Sequence, residues 1–381
     1  MGKETDDAKN MLGKIATTPI VSRAYDPNCK VSLVGGIIRQ MKTFNDRGDR
    51  EDIPALAILV GYAECFDKDV ITEMIDLGNN FTSEYDDANV ITRLVCSMIS
   101  QKIEDGKVQP NDSRTAFAIR AGLLEFCTSM IARFGRDKND RLVCWVISIL
   151  ENIYLISFHK KTSKAIGDKR GNLLIESQRL KENQLVVSNT QYEKALHIIQ
   201  SILDITSTSC YFCNQVTERK DMKKCVACKS VCYCSKECQR KDWQSGGHEQ
   251  HCEEFLRNVR DTTAKLKGLR RNITMARKRL FLENADSIRL QLAAKELPRS
   301  EYIVRFDLFQ CPLAVTVMAW TEYFVSCRSK KWFEENIQLD DENIMCIYES
   351  PFFSGNSNEP GCPENLIVYT LYPREWLSSE A

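Results

Sequence analysis

Eight of the 17 cysteines in this 381-residue chain, and two of its four histidines, fall between residues 210 and 252. Eight of these ten come in pairs: Cys210-x2-Cys213, Cys225-x2-Cys228, Cys234-x3-Cys238 and His248-x3-Cys252. Two residues between cysteines suit a tight knuckle whose backbone N–H groups point at the sulfurs. Three residues between ligands put both on one face of a helical turn. Four such pairs supply eight ligands, enough to close two tetrahedral zinc sites with no vacant position. A catalytic zinc keeps one position for water or substrate, so this count favours a metal that holds a fold.

A disulfide framework would need an oxidising compartment. The N-terminus, MGKETDDAKN, lacks the apolar core of a secretory signal, and no run approaches the roughly 20 apolar residues of a membrane span. The most apolar stretch, LVCWVISILENIYLI from Leu142, is interrupted by Ser148, Glu151 and Asn152, and reads as a buried helix. These features point to the cytoplasm or nucleus, where thiols stay reduced and bind metal. Scattered cysteines such as Cys96, Cys127 and Cys144 are expected as buried thiols in apolar stretches. Fifty-two basic residues balance fifty-two acidic ones, so no global field recruits nucleic acid or a membrane surface.

Landmarks between the ligands carry a resemblance. Tyr233-Cys234-Ser235, Cys238-Gln239 and Asp242-Trp243, set among the four pairs, resemble the MYND-type zinc finger over about 43 residues. The resemblance implies interleaved pairs. Cys210, Cys213, Cys234 and Cys238 would hold one zinc ion, and Cys225, Cys228, His248 and Cys252 the other. Such cross-bracing ties a segment too small to fold alone, so metal binding becomes its folding free energy. Two departures stand out. Four residues, QSGG, separate Trp243 from His248 where many members have two, which makes His251 a rival ligand. His251 adjoins Cys252, and neighbours rarely ligate one ion from a helical turn, so His248 is preferred. Cys232 is a ninth candidate, read as packing.

The flanks read as mainly α. Residues 1–28 look loosely docked, 29–207 form a helical domain, 208–254 the finger, 255–300 a helical connector and 301–381 an α+β region. In the helical domain, IPALAILVGYAECF after Asp52, ANVITRLVCSMISQKI after Asp87 and SRTAFAIRAGLLEFCTSMIARF after Asn111 or Asp112 each follow a residue that can cap a helix. Gly135 stops the third, and YEKALHIIQSILDI forms the last helix. Helix follows helix with short links, as in an armadillo- or HEAT-like stack or an irregular helical domain. The polar TSKAIGDKRGNLLIESQRLKENQ reads as a long loop. After the finger, residues 253–297 read as one long helix or two. YIVRFDLF, NIMCIYES and NLIVYTLYP alternate like strands, and PLAVTVMAWTEYFVSC reads as a helix.

The resemblance implies a docking module, since several MYND fingers bind short proline-rich peptides. Gln239 and Trp243 match that use: the indole offers a flat apolar face to a proline ring and the amide can bond a peptide backbone. Packing of Trp243 onto the finger's small core is the alternative. The expected function is a zinc-binding protein-interaction adaptor with two zinc ions per chain and no enzymatic activity. Some MYND fingers sit inside SET-domain lysine methyltransferases. AYDPNC at residues 24–29 looks like that fold's signature, but it precedes the finger, and no Asn-His-Ser-Cys segment follows it. His159 and His197 lie in apolar helices and are expected in the core. Nucleic-acid binding is the third reading, through the basic finger and the run Lys265, Lys267, Arg270, Arg271, Arg277, Lys278 and Arg279. That run reads instead as a solvated helix face.

Overall fold

The computed structural model describes residues 68–80, 85–102, 108–110, 112–135, 141–184, 190–206, 209–215, 221–229, 231–245, 248–249, 252, 264–295, 301–311, 313–323, 343–350, 366–373 and 377. The expected helix from Asp52, the AYDPNC segment and His251 lie outside these residues. Contacts divide the chain into two units. The first is Met1–Ile153 with Lys164–Gln200, and the second is Tyr154–Ser163 with Ser201–Ala381.

The first unit is helical. Helices α1 (Lys68–Asn80) and α2 (Tyr85–Ile99) precede a small antiparallel ladder of β1 (Ser100–Lys102) and β2 (Val108–Pro110). Then come α3 (Asp112–Arg120), α4 (Leu123–Phe134), α5 (Arg141–Leu155), α6 (Lys160–Gln184) and α7 (Thr190–Thr206), of which residues 154–155, 160–163 and 201–206 count with the second unit. Ile71, Met74 and Ile75 recur at helical spacing on α1, are buried, and belong to the helix that packs on α2, α3 and α4.

Three sequence-based expectations change here. The segment expected as a single helix after Asp112 breaks at Gly122, whose φ of 106° only glycine adopts without strain, and α3 and α4 meet at a 70° bend. Gly122→Ala should therefore cost about 1–2 kcal/mol, measured as a lower denaturant midpoint at unchanged slope. Gly135 does end α4, its N–H bonded to the Ile131 carbonyl at 2.8 Å. The second change is α6, expected as a loop. Its apolar stripe is sparse (Ala165, Ile166, Leu173 and Leu180), but Lys, Arg, Glu, Gln and Leu, all strong helix formers, make up much of the rest despite Gly167 and Gly171. Glu125 of α4 accepts from Lys169 and Asn172, and Leu180 accepts from Tyr192 of α7 at 2.8 Å. Third, residues 100–102, expected at the end of α2, leave it as β1. Two side chains expected in the core are exposed instead: His197 on α7 and Cys144 on α5. Cys96 and Cys127 are buried, and burial pushes the Cys96 thiol up to about 11.

In the second unit, β3 (Lys223–Lys224), β4 (Cys232–Tyr233) and α8 (Lys236–Gln244) belong to the cysteine-rich segment. Beyond it come α9 (Ala264–Glu283), α10 (Ala285–Ala293) and a four-stranded sheet of order β6-β5-β7-β8. Strands β5 (Tyr302–Asp307) and β7 (Asn343–Ser350) pair in parallel. Strands β6 (Ala314–Ala319) and β8 (Leu366–Pro373) flank them antiparallel. The three expected strands form. PLAVTVMAWTEYFVSC, expected as a helix, instead supplies β6 and one helical turn, α11 (Trp320–Tyr323). Short apolar runs are ambiguous locally, and pairing with β5 settles this one.

Helix α9 packs against β8, where the Phe281 and Tyr372 rings lie 4.5 Å apart, and Tyr348 donates to the Arg277 carbonyl at 2.8 Å. Gln291 of α10 holds the edge of β6, donating to the Val315 carbonyl and accepting from the Val317 N–H. Arg305 on β5 donates to Glu349 on β7 at 2.6 Å, and Tyr323 donates to the same carboxylate. Among the described residues no single helix is long and apolar enough to cross a membrane. Two bent pairs, α3 with α4 and α5 with α6, pass that test by length and composition only.

Candidate metal centre

Two knuckles with one design open the cysteine-rich segment. In the first, the Cys210 N–H bonds the Gln215 carbonyl and the Asn214 N–H bonds Cys210; in the second, Cys225 bonds Val231 and Lys229 bonds Cys225. The residue after each C-x2-C pair is left-handed, with φ of 62° at Asn214 and 56° at Lys229. That reversal turns peptide N–H groups onto the first thiol of each pair. Cys210 accepts from Phe212, Cys213 and Cys234, and Cys225 from Ala227 and Cys228. Burial raises both thiols, but these donors outweigh it and the net shift is downward. One thiol per knuckle is thus readied to ionise.

The other ligands arrive on β4 and α8. Ser235 caps α8, its hydroxyl accepting from the Cys238 N–H at 3.1 Å, which fixes Cys234 and Cys238 on adjoining turns. Tyr233 on β4 points the other way and donates to Asp242 on α8 at 2.7 Å, both side chains fully buried. Desolvation raises the Tyr233 phenol and the Asp242 carboxylate adds to it, so the proton stays on tyrosine. His248 sits among three rings: Trp243 at 5.9 Å, Tyr233 at 6.1 Å and Tyr211 at 6.2 Å, each nearly edge-on.

The eight side chains meet in two clusters. Cys210, Cys213, Cys234 and Cys238 form one, and Cys225, Cys228, His248 and Cys252 the other, with ligand atoms within 4.8 Å of one another in each. The pairing interleaves: first and third pairs together, second and fourth together. Cys213–Cys234 sulfurs lie 3.7 Å apart, Cys234–Cys238 3.5 Å and Cys225–Cys252 3.8 Å. Zinc–sulfur bonds of about 2.3 Å at tetrahedral angles require sulfurs about 3.8 Å apart. The second cluster includes His248 through Nε2, 3.7 Å from the Cys228 sulfur. A set of soft thiolates and one imidazole at this spacing suits zinc, with no place left for water. Desolvation, helped by neighbouring thiols, pushes Cys234 and Cys252 up to about 12, so an ion must displace their protons to bind. Cys232 is buried in the segment's core and belongs to neither cluster.

Of the docking candidates, Gln239 is half-buried, and Trp243 is 40 % exposed while one edge packs against His248. They lie four residues apart on α8, hence on one face. Spacing gave no hint of the role of α9. The run expected as a solvated face buries Arg277, Lys278 and Arg279. Arg279 pairs with Glu283, and Lys278 reaches the first knuckle.

Comparison with known proteins agrees with the geometry. Residues 210–252 match the family described as MYND finger. A protein from Arabidopsis thaliana, "Ubiquitin carboxyl-terminal hydrolase 19", is 26 % identical over 187 residues, covering 42 % of this chain and 27 % of its own. "SET domain-containing protein 14" of Caenorhabditis elegans is 46 % identical over 43 residues, 11 % of this chain and 10 % of its own. The chain thus spans about a quarter and a tenth of the lengths of these relatives. No solved structure matches significantly. Residues 210–252 are a MYND finger, a module that mediates protein–protein interaction, and its two four-ligand clusters are built for zinc.

Proposed function

We propose that the chain is an adaptor in the cytoplasm or nucleus that holds two zinc ions and docks a short proline-containing peptide on its finger. The helical first unit, stacked in armadillo- or HEAT-like fashion, offers a second protein-binding surface, and no part of the chain is assigned catalysis. The observation that carries this is Trp243: a large aromatic left 40 % exposed on the helix that carries ligand Cys238, with one edge against ligand His248. With Gln239 one turn earlier, it offers a proline ring a flat face and a peptide backbone an amide. Burial of Arg277, Lys278 and Arg279 withdraws three cations from the basic run, which favours a protein partner over nucleic acid.

Trp243→Ala should keep both zinc ions by metal analysis and weaken capture of a proline-rich peptide by about 30-fold or more, the loss of a hot-spot aromatic. If it releases zinc instead, Trp243 serves the fold through His248 and the docking role fails. The names of the two relatives favour a second reading, an accessory finger beside enzyme chemistry. Transfer of label from S-adenosylmethionine by the purified chain would establish its methyltransferase form.

A further inference from the structure

Lys278 lies on α9, far along the chain from the first knuckle, yet its ammonium donates to the Tyr211 carbonyl at 2.8 Å and the Phe212 carbonyl at 3.4 Å. It also lies 5.2 Å from the centre of the Tyr211 ring. The two carbonyls are not arbitrary. The Tyr211 carbonyl shares its peptide plane with the Phe212 N–H, and the Phe212 carbonyl with the Cys213 N–H. Both N–H groups donate to the Cys210 thiolate. In a trans peptide the two ends point in opposite directions. A cation on the oxygen side polarises the amide and strengthens its N–H toward the sulfur.

We propose that Lys278 is a positioning residue of the four-cysteine site, acting on the Cys210 thiolate through these two peptides. Four thiolates around a divalent ion leave two net negative charges, and here they sit against a helix whose lysine is only 8 % exposed. The buried ammonium is favoured by the negative groups near it, Asp242 first and then Cys210 and Cys213, and the anionic cluster is favoured in turn by the cation. Among the described residues, no cation caps the corresponding carbonyls of Val226 and Ala227 at the second site. Its knuckle turn faces solvent, with Val226 82 % exposed, so water solvates the corresponding peptides. The two sites of one finger therefore differ in what supports them: water at one, a lysine from outside the finger at the other.

The inference rests on the two-zinc reading, and cobalt(II) titration of the metal-free full chain tests the two separately. Wild type should take up two ions with distinct spectra, one from four thiolates and one from three thiolates and an imidazole. Fewer than two would end the two-zinc reading itself. With two bound, Lys278→Gln should weaken the four-thiolate site by on the order of 10- to 100-fold, the usual effect of removing an outer-sphere partner, while the other site holds. Equal affinity, or equal loss at both sites, overturns the proposal. Leu280→Ala loosens the same buried helix without touching the carbonyls. If it weakens the four-thiolate site as selectively as Lys278→Gln does, docking of α9 is responsible and the lysine is not. Should Lys278→Gln fold poorly, Lys278→Arg in the zinc-loaded chain gives a second measurement. The Phe212 and Cys213 amide protons should shift by NMR while those of Ala227 and Cys228 stay, and unmoved Phe212 and Cys213 signals overturn the proposal.

Discussion

A chelator that strips zinc from the full chain is expected to unfold residues 210–252 and expose them to protease. The finger's core explains the size of this effect. Its buried members are Met222, Val231 and Tyr233 together with Cys210, Cys225, Cys228, Cys232 and Cys252. Half of that core is therefore ligand. The three apolar or aromatic side chains contribute about 1.5–3 kcal/mol each by leaving water. Ordering a residue's backbone costs about 1–2 kcal/mol, so three side chains cannot hold the whole segment. A structural zinc ion supplies roughly 10–16 kcal/mol, and two of them close the deficit. Cys213→Ser, which leaves one cluster with three thiols, should lose the first ion and most protease resistance of the knuckle. Acid acts in the same direction: bound thiolates carry no proton, so each proton added as pH falls competes with metal, and zinc content should drop with pH. Intact protease resistance after complete metal removal would contradict this account.

Phe126→Ala is the other substitution with a large expected effect, about 3–5 kcal/mol of unfolding free energy. Phe126 is fully buried on α4, and its ring lies on Gly78 of α1. A Cβ at Gly78 would stand 2.4 Å from the Phe126 ring and 3.3 Å from Ile91 on α2. Three helices thus meet around one ring, and α1 comes close only because residue 78 has no side chain. Removing the ring opens a cavity that this packing cannot fill by relaxing. Gly78→Ala alone should also destabilise, by about 1–3 kcal/mol, because the ring has nowhere to go. In the Phe126→Ala background the same methyl enters the cavity, so the double variant should be less destabilised than the two single effects added together. Denaturant titrations of the four proteins check this, and strict additivity would show that the two residues do not share a space.

The knuckles were legible in the sequence because metal ligands obey local rules. Two residues between thiols fix a turn whatever surrounds it, and Cys210–Cys213 and Cys225–Cys228 follow that rule. The alternation in YIVRFDLF, NIMCIYES and NLIVYTLYP likewise gave three strands. Errors arose where distant partners decide. Helix α6 shows so thin an apolar stripe that its helicity depends on strong formers and on contacts with Glu125 and Tyr192. In β6, Ala314–Ala319 is apolar enough for either state, and β5 selects the strand. Arg277, Lys278 and Arg279 looked solvated because a basic run is ordinarily a wet surface. What buries Lys278 is a pair of carbonyls made available by a zinc knuckle, and no periodicity within α9 announces them.

The division of the chain also bears on how it can be cut. The second unit takes Tyr154–Ser163 from upstream of much of the first, so its sequence is not continuous. That short segment carries Phe158, fully buried, whose carbonyl accepts from Asn272 on α9 at 2.5 Å. A fragment starting at Ser201 would retain every zinc ligand yet lack a core residue and an anchor of α9. Truncation at Ser201 should then destabilise α9 unless residues 154–163 are supplied as well. A cut at any single peptide bond therefore cannot separate the two units without removing part of one of them.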